Sequence, residues 1–228
     1  IKQGGKINAI GTVLRPIVFT SDKVSGSKAS GDWQGIIIQG NGIQTYGGYG
    51  ATATGEGDVG TFGGTTDTES SGSMKYARIE FAGKAFSPGN ERNCLSLMGV
   101  GSGTTLEYIQ CHKSLDDAFE WWGGSVSMKY LLATDSRDDN FDFADGFTGK
   151  VQYAIAHMGT NSTSNDDTSR CIEGDGNSVH TCSTSKTGGG TCSDPSFANV
   201  TCIGSNGGTR QGDAIYLRRG SVGKFTHF

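Results

Sequence analysis

The sequence predicts an all-β fold, a right-handed parallel β-helix with about 22 residues per coil. Three observations predict it. The first is a repeat. Met74-Lys75-Tyr76-Ala77-Arg78-Ile79, Leu106-Glu107-Tyr108-Ile109-Gln110-Cys111, Met128-Lys129-Tyr130-Leu131-Leu132-Ala133 and Val151-Gln152-Tyr153-Ala154-Ile155-Ala156 share one pattern, and their last two tyrosine intervals are 22 and 23 residues. The second is a companion element that precedes three of these repeats: Leu95-Ser96-Leu97-Met98-Gly99, Phe119-Glu120-Trp121-Trp122-Gly123 and Phe141-Asp142-Phe143, with Ile172-Glu173-Gly174 continuing the series after a longer loop. The third is composition. Of 228 residues 38 are glycine and only 34% are hydrophobic, which suits many short strands joined by turns rather than packed helices.

A period near 22 residues is too short for a βαβ unit or a helix pair, and fits one solenoid coil of two or three short strands. In chain order, Lys6-Ile7-Asn8-Ala9-Ile10 and Pro16-Ile17-Val18-Phe19-Thr20 read as two strands of an early coil, and Trp33-Gln34-Gly35-Ile36-Ile37-Ile38 as another. Residues 40–73 are Gly- and Thr-rich and read as a long loop excursion; residues 159–195 read as a second. Asp213-Ala214-Ile215-Tyr216-Leu217 opens a last coil. Alternation along the strands aims Phe119, Trp121, Phe141 and Phe143 into one continuous core. Leu115, Phe119 and Trp122 also have helical spacing, but Gly123-Gly124 ends that pattern at once. The expected organisation is one domain over residues 1–228, interpreted as an internal piece of a longer chain.

The net charge is −4 with no basic block, which argues against nucleic acid and anionic membrane surfaces as partners, and no apolar run is long enough to span a bilayer. Six cysteines without zinc spacing favour disulfides and an oxidising, extracellular or cell-surface location. The expected pairs are Cys182–Cys192, Cys171–Cys202 and Cys94–Cys111, with buried free thiols as the alternative.

Gly31-Asp32-Trp33-Gln34-Gly35-Ile36, Met74-Lys75-Tyr76-Ala77-Arg78-Ile79-Glu80-Phe81-Ala82-Gly83, Asp116-Asp117-Ala118-Phe119-Glu120-Trp121-Trp122-Gly123-Gly124 and Asp138-Asp139-Asn140-Phe141-Asp142 together resemble a family of secreted or lipoprotein-type bacterial proteins of the pectate-lyase-like right-handed β-helix class. The resemblance runs over about residues 1–158 and more loosely to the end. It implies export and the β-helix fold. It brings no catalytic residues.

Chemistry concentrates where coils align acids. With Phe119 over Phe141, Asp116 stands over Asp138, Asp117 over Asp139 and Glu120 over Asp142, with Glu173 extending the last column. Like charges about one strand spacing (~4.8 Å) apart are unfavourable unless something compensates them. Calcium, inserted arginine (Arg92, Arg137 or Arg170) and a retained proton are the three compensations considered; turn capping by Asp is the purely structural reading. An outward Trp122 would offer a sugar a stacking surface, with Arg92, Arg137 and Arg170 as further glycan-binding candidates, although burial of both tryptophans is the default expectation. Asp138-x-Asn140-x-Asp142 lacks the Gly and Glu of an EF-hand, and the sequence contains no GxSxG, HExxH or P-loop. His112, close in sequence to Asp116 and Asp117, is a candidate contributor to the site.

The functional reading from sequence is an exported structural or adhesive surface protein, with a filament or stalk stacking end to end as its specific form; whether it is an enzyme stays open, with the missing catalytic signatures weighing against one. The alternatives are a calcium-dependent polysaccharide lyase or hydrolase and a non-catalytic glycan-binding module. The expected partners are further copies of itself or surface glycans, and the expected cofactor is Ca²⁺ if there is one.

Overall fold

A computed structural model describes residues 1–228 apart from 56, 58, 88, 89, 160–168, 178–191 and 205–211. The chain is a parallel β-helix, as expected, and no α-helix occurs among the described residues. Two long sheets alternate along it. The first holds β1 (Ile7–Ile10), β2 (Ile17–Phe19), β6 (Gly72–Glu80), β8 (Thr105–His112), β10 (Met128–Thr134), β12 (Lys150–His157), β14 (Ser196–Ile203) and β16 (Lys224–Thr226). The second holds β3 (Ile36–Gln39), β7 (Leu95–Met98), β9 (Phe119–Trp122), β11 (Phe141–Ala144), β13 (Ile172–Asp175) and β15 (Ile215–Arg218). Each coil contributes one strand to each sheet, and every pairing within the two sheets is parallel.

The register is the one the repeat implies. Met74 pairs with Leu106, Leu106 with Met128 and Met128 with Val151, while Phe119 pairs with Phe141. Coils of about 22 residues occur only where no loop intervenes. From Phe141 to its partner Ile172, and from Ile172 to Ile215, the coil is lengthened by insertions.

Three expectations are corrected. β1 and β2 are not successive strands of a coil; they lie against the two halves of β6, as one strand interrupted by a turn at residues 12–15. The 40–73 excursion contains a small antiparallel hairpin, β4 (Ala53–Thr54) with β5 (Thr61–Phe62), folded over the second sheet. The 159–195 excursion is two insertions, because β13 returns to the sheet between them.

The core lies between the sheets. Leu95, Leu97, Phe119, Trp121, Phe141 and Phe143 all point inward and are fully buried. Their rings stack coil on coil: Phe119 and Phe141 have centroids 5.6 Å apart, and Trp121 and Phe147 5.3 Å. Such contacts add to apolar burial, which no isolated coil could achieve.

Corners between strands are left-handed and also stack. Tyr76, Tyr108, Tyr130 and Tyr153 have φ of 49°, 56°, 59° and 60°, so β6, β8, β10 and β12 each bend midway. Asn199 holds the same corner at 57° in the next coil. Gly99, Gly123 and Asp145 form a second positive-φ column after β7, β9 and β11.

Phe141→Ala should destabilise the domain by about 3–5 kcal/mol in urea denaturation, since it opens a cavity against Phe119, Trp121 and Phe197 at once.

Candidate functional site

The second sheet has an outer face, and alternation decides what stands on it. β9 turns Glu120 and Trp122 outward, β11 Asp142 and Ala144, β13 Glu173 and Asp175, and β15 Arg218. Register stacks Glu120, Asp142 and Glu173 into one column, as the sequence implies, and sets Asp175 beside Arg218.

The turn before these strands carries a second ladder. The Asn93 side-chain oxygen accepts the Asp117 N–H at 3.1 Å, Asp117 Oδ1 accepts the Asp139 N–H at 2.9 Å, and Asp139 Oδ1 accepts the Arg170 N–H. Each side chain caps the backbone of the coil above it. This bears out the capping reading for one oxygen of each, and the other oxygen of Asp139 pairs with the Arg170 guanidinium. Asn93 performs the same capping as a neutral amide, so the charge at 117 and 139 is not needed for it.

These groups meet in a small cleft of about 210 Å³ lined by Asp116, Asp117, Glu120, Asp138, Asp139 and Asp142, with Arg170, Glu173 and Arg218 at one end. Two triads are compact enough to share an ion: Asp116, Asp117 and Asp138, and Asp117, Glu120 and Asp142, each with one oxygen per residue inside a 4.8 Å set. The donors are all carboxylate oxygens, the set hard cations such as Ca²⁺ prefer. Burial, reinforced by the charges of Asp116, Asp142, Asp138 and Asp139, pushes the Asp117 carboxyl well above its usual range. Burial first, then the hydrogen bond with Glu173 and the nearby acids, pushes Asp139 up to about 10. Asp142 is likewise raised by burial and by Glu173 and Asp175, with Arg218 opposing.

Of the three predicted arginines only Arg170 belongs to the cleft. It bridges Glu173 at 2.6 Å and Asp139 at 3.7 Å. Arg92 is buried under the excursion, where it donates to the Gly57 carbonyl at 2.5 Å and lies over the Phe86 ring. Arg137 is not among the residues that line the cleft. Arg218 and Arg219, which the sequence reading passed over, pair with Asp175 at 2.6 and 2.8 Å, and Arg218 also pairs with Glu173. The signal was the alignment of Ile215-Tyr216-Leu217-Arg218 with Ile172-Glu173-Gly174-Asp175, hidden by the long insertion between them.

Trp121 is inside, and Trp122 faces outward, half-buried against Phe62 of the hairpin with centroids 6.1 Å apart. It lines a larger cleft of about 490 Å³ that continues from the acidic one through Glu120, Asp142 and Arg218, with Tyr46 on its rim. His112 does not join the site. It leaves β8 on the other sheet and bonds Thr134 Oγ1 at 2.7 Å, and burial lowers its pKa.

Cys171 and Cys202 form the expected disulfide. Cys94 and Cys111 do not: both are buried free thiols, although they hold the same coil positions as Cys171 and Cys202, and the Cys94 thiol is turned to the Ile79 carbonyl. Cys182 lies outside the described residues, and so does its expected pairing with Cys192.

A family model described as a pectate-lyase like beta helix domain matches residues 1–228. The chain belongs to this family. No curated protein and no solved structure matches it. In this pectate-lyase-like β-helix domain no helix of the described residues is long and apolar enough to cross a membrane.

Raised carboxyl pKa values in the folded state mean that the native chain binds more protons than the unfolded one, whose carboxyls titrate near pH 4. Stability without a cation should therefore be greatest below about pH 4 for these groups and fall as pH climbs toward the folded values. Thermal scans in EDTA should show Tm declining from about pH 5 to about pH 8, and millimolar Ca²⁺ should recover it at the higher pH far more than at the lower.

Proposed function

We propose that this domain is an adhesive, non-catalytic glycan-binding module of an exported protein, and that it holds Ca²⁺ among Asp117, Glu120, Asp142 and the adjoining Asp116 and Asp138. One observation carries the reading. Asn93 caps the next coil as an amide, yet Asp117 does the same work as a carboxylate, in a buried place where charge is costly, and unlike Asp139 it is not the acid that Arg170 reaches. A charge that capping does not require is accounted for by a cation.

The neighbouring cleft supports a sugar ligand. Trp122 and Tyr46 provide apolar surface, and Glu120, Asp142 and Arg218 provide hydrogen-bonding groups at the junction with the cation site. Arg170 and Arg218 are both committed to ion pairs, so neither is presented as the base that a lyase needs. Export fits the Cys171–Cys202 bond, since structural disulfides persist in oxidising compartments. Adhesion through the cleft, rather than a stalk or filament role, is the form of surface function these residues support.

Calorimetric titration of the domain with Ca²⁺ should give a dissociation constant of roughly 10⁻⁵–10⁻³ M. Asp117→Asn should keep the fold, because Asn can still accept the Asp139 N–H, and should abolish that binding. Unchanged binding in Asp117→Asn, or none in the parent, sinks the cation site. On a panel of neutral and acidic glycans, saturable binding that EDTA removes is expected, and accumulation of ultraviolet-absorbing unsaturated products would overturn the non-catalytic reading.

A further inference from the structure

A second face of the molecule is built with equal regularity and takes no part in the cleft. On the first sheet the rings of Tyr76, Tyr108, Tyr130 and Tyr153 stack in one column, with centroids 4.4, 4.3 and 5.1 Å apart and planes within 10° of parallel. Tyr108, Tyr130 and Tyr153 are 38–44% exposed. The left-handed corner does not require tyrosine. Asn199 makes the same corner in the next coil, and bulky residues adopt this conformation at a cost that Gly and Asn largely escape. Because each ring covers its neighbour's faces, the column presents edges and hydroxyls outward, so it is not a platform on which sugars stack.

We infer that this column is the centre of a lateral interface with a second copy of the chain, the two β-helices lying side by side and antiparallel. Charge decides the partner and its direction. The outward row beside the tyrosines reads Lys75, Glu107, Lys129, Gln152. Lys75 and Glu107 pair within one chain at 3.0 Å; a two-fold axis placed midway between the Tyr108 and Tyr130 rungs adds Lys129 of the second copy to that Glu107, twice, and sets Lys75 against its Gln152. No like charges meet. A parallel two-fold pairing would instead bring this row against the one that begins with Arg78, and set Lys75 against that arginine.

Shape agrees with the antiparallel arrangement. At one end of the ladder the turn at residues 12–15 projects, with Val13 75% and Leu14 90% exposed. At the other end the rings stop and the smaller Asn199 follows Tyr153 in the column. The same two-fold places each projecting turn over the step left by Asn199 in the other copy. A β-solenoid also matches the spacing of the column, since its own rungs repeat at the same distance, whereas an extended peptide advances about 3.3 Å per residue. Five rungs at about 4.8 Å by some seven residues of strand give a footprint of several hundred Å² per copy, at the lower end of specific interfaces. The dimer is therefore concentration-dependent.

Sedimentation velocity of the full chain across a micromolar to sub-millimolar series tests this, with circular dichroism confirming the fold of each variant. The expected result is a reversible monomer–dimer equilibrium. Lys129→Glu should weaken it about tenfold or more by setting two glutamates face to face, and adding Glu107→Lys to that variant should restore it. Leu14→Asp should also weaken it, without disturbing Ca²⁺ titration at the cleft. A monomer throughout the series overturns the proposal. So does a dimer indifferent to Lys129→Glu, or one that the double exchange fails to rescue.

Discussion

Parallel stacking of one coil on the next is the constraint on which everything else rests. Backbone hydrogen bonds hold equivalent residues of successive coils at one strand spacing, about 4.8 Å, so each position of the repeat becomes a column. What a column costs or gains depends on its chemistry. Phe119 over Phe141, and the four tyrosines in a row, gain ring contacts at that distance. Glu120 over Asp142 over Glu173 meets repulsion at the same distance. The geometry that builds the core therefore also builds the unfavourable cluster.

The molecule relieves this cluster unevenly. At the C-terminal end Arg170, Arg218 and Arg219 reach into the acids and form ion pairs with Asp139, Glu173 and Asp175. Toward the other end, Asp117 is dominated by burial and by the charges of Asp116, Asp142, Asp138 and Asp139. Desolvation alone would favour amides there, as at Asn93. Retention of carboxylates around a shared space is thus a choice made against local stability, the pattern expected of a binding site. The disulfide Cys171–Cys202 and the hairpin over Trp122 brace the same region from the loop side.

Much of this was legible because a solenoid maps sequence interval onto space. Once Phe119 and Phe141 are aligned, Asp117 must follow Asp139, and the acidic columns can be drawn without coordinates. Legibility failed wherever an insertion broke the interval. Arg218 stands beside Asp175 in the sheet but 43 residues away in the chain, so no repeat led to it. The expected bond between Cys94 and Cys111 is absent although these thiols hold the coil positions that Cys171 and Cys202 bridge, so interval alone does not tell a bonded pair from a free one.

By itself the sequence determined the parallel β-helix, the register of its central coils, the inward aromatic residues and the grouping of Asp116, Asp117, Glu120, Asp138, Asp139 and Asp142, since each follows from periodicity alone. Only the tertiary structure decided which oxygens of those acids cap backbone, which arginines answer them, and that Trp122 faces a cleft instead of the core. Those outcomes depend on loops of irregular length folding back over the sheet. It also revealed that the tyrosines marking the repeat are left-handed corners with exposed edges. Backbone dihedrals and solvent exposure are properties of the packed coils, and a repeating letter in the sequence does not carry them.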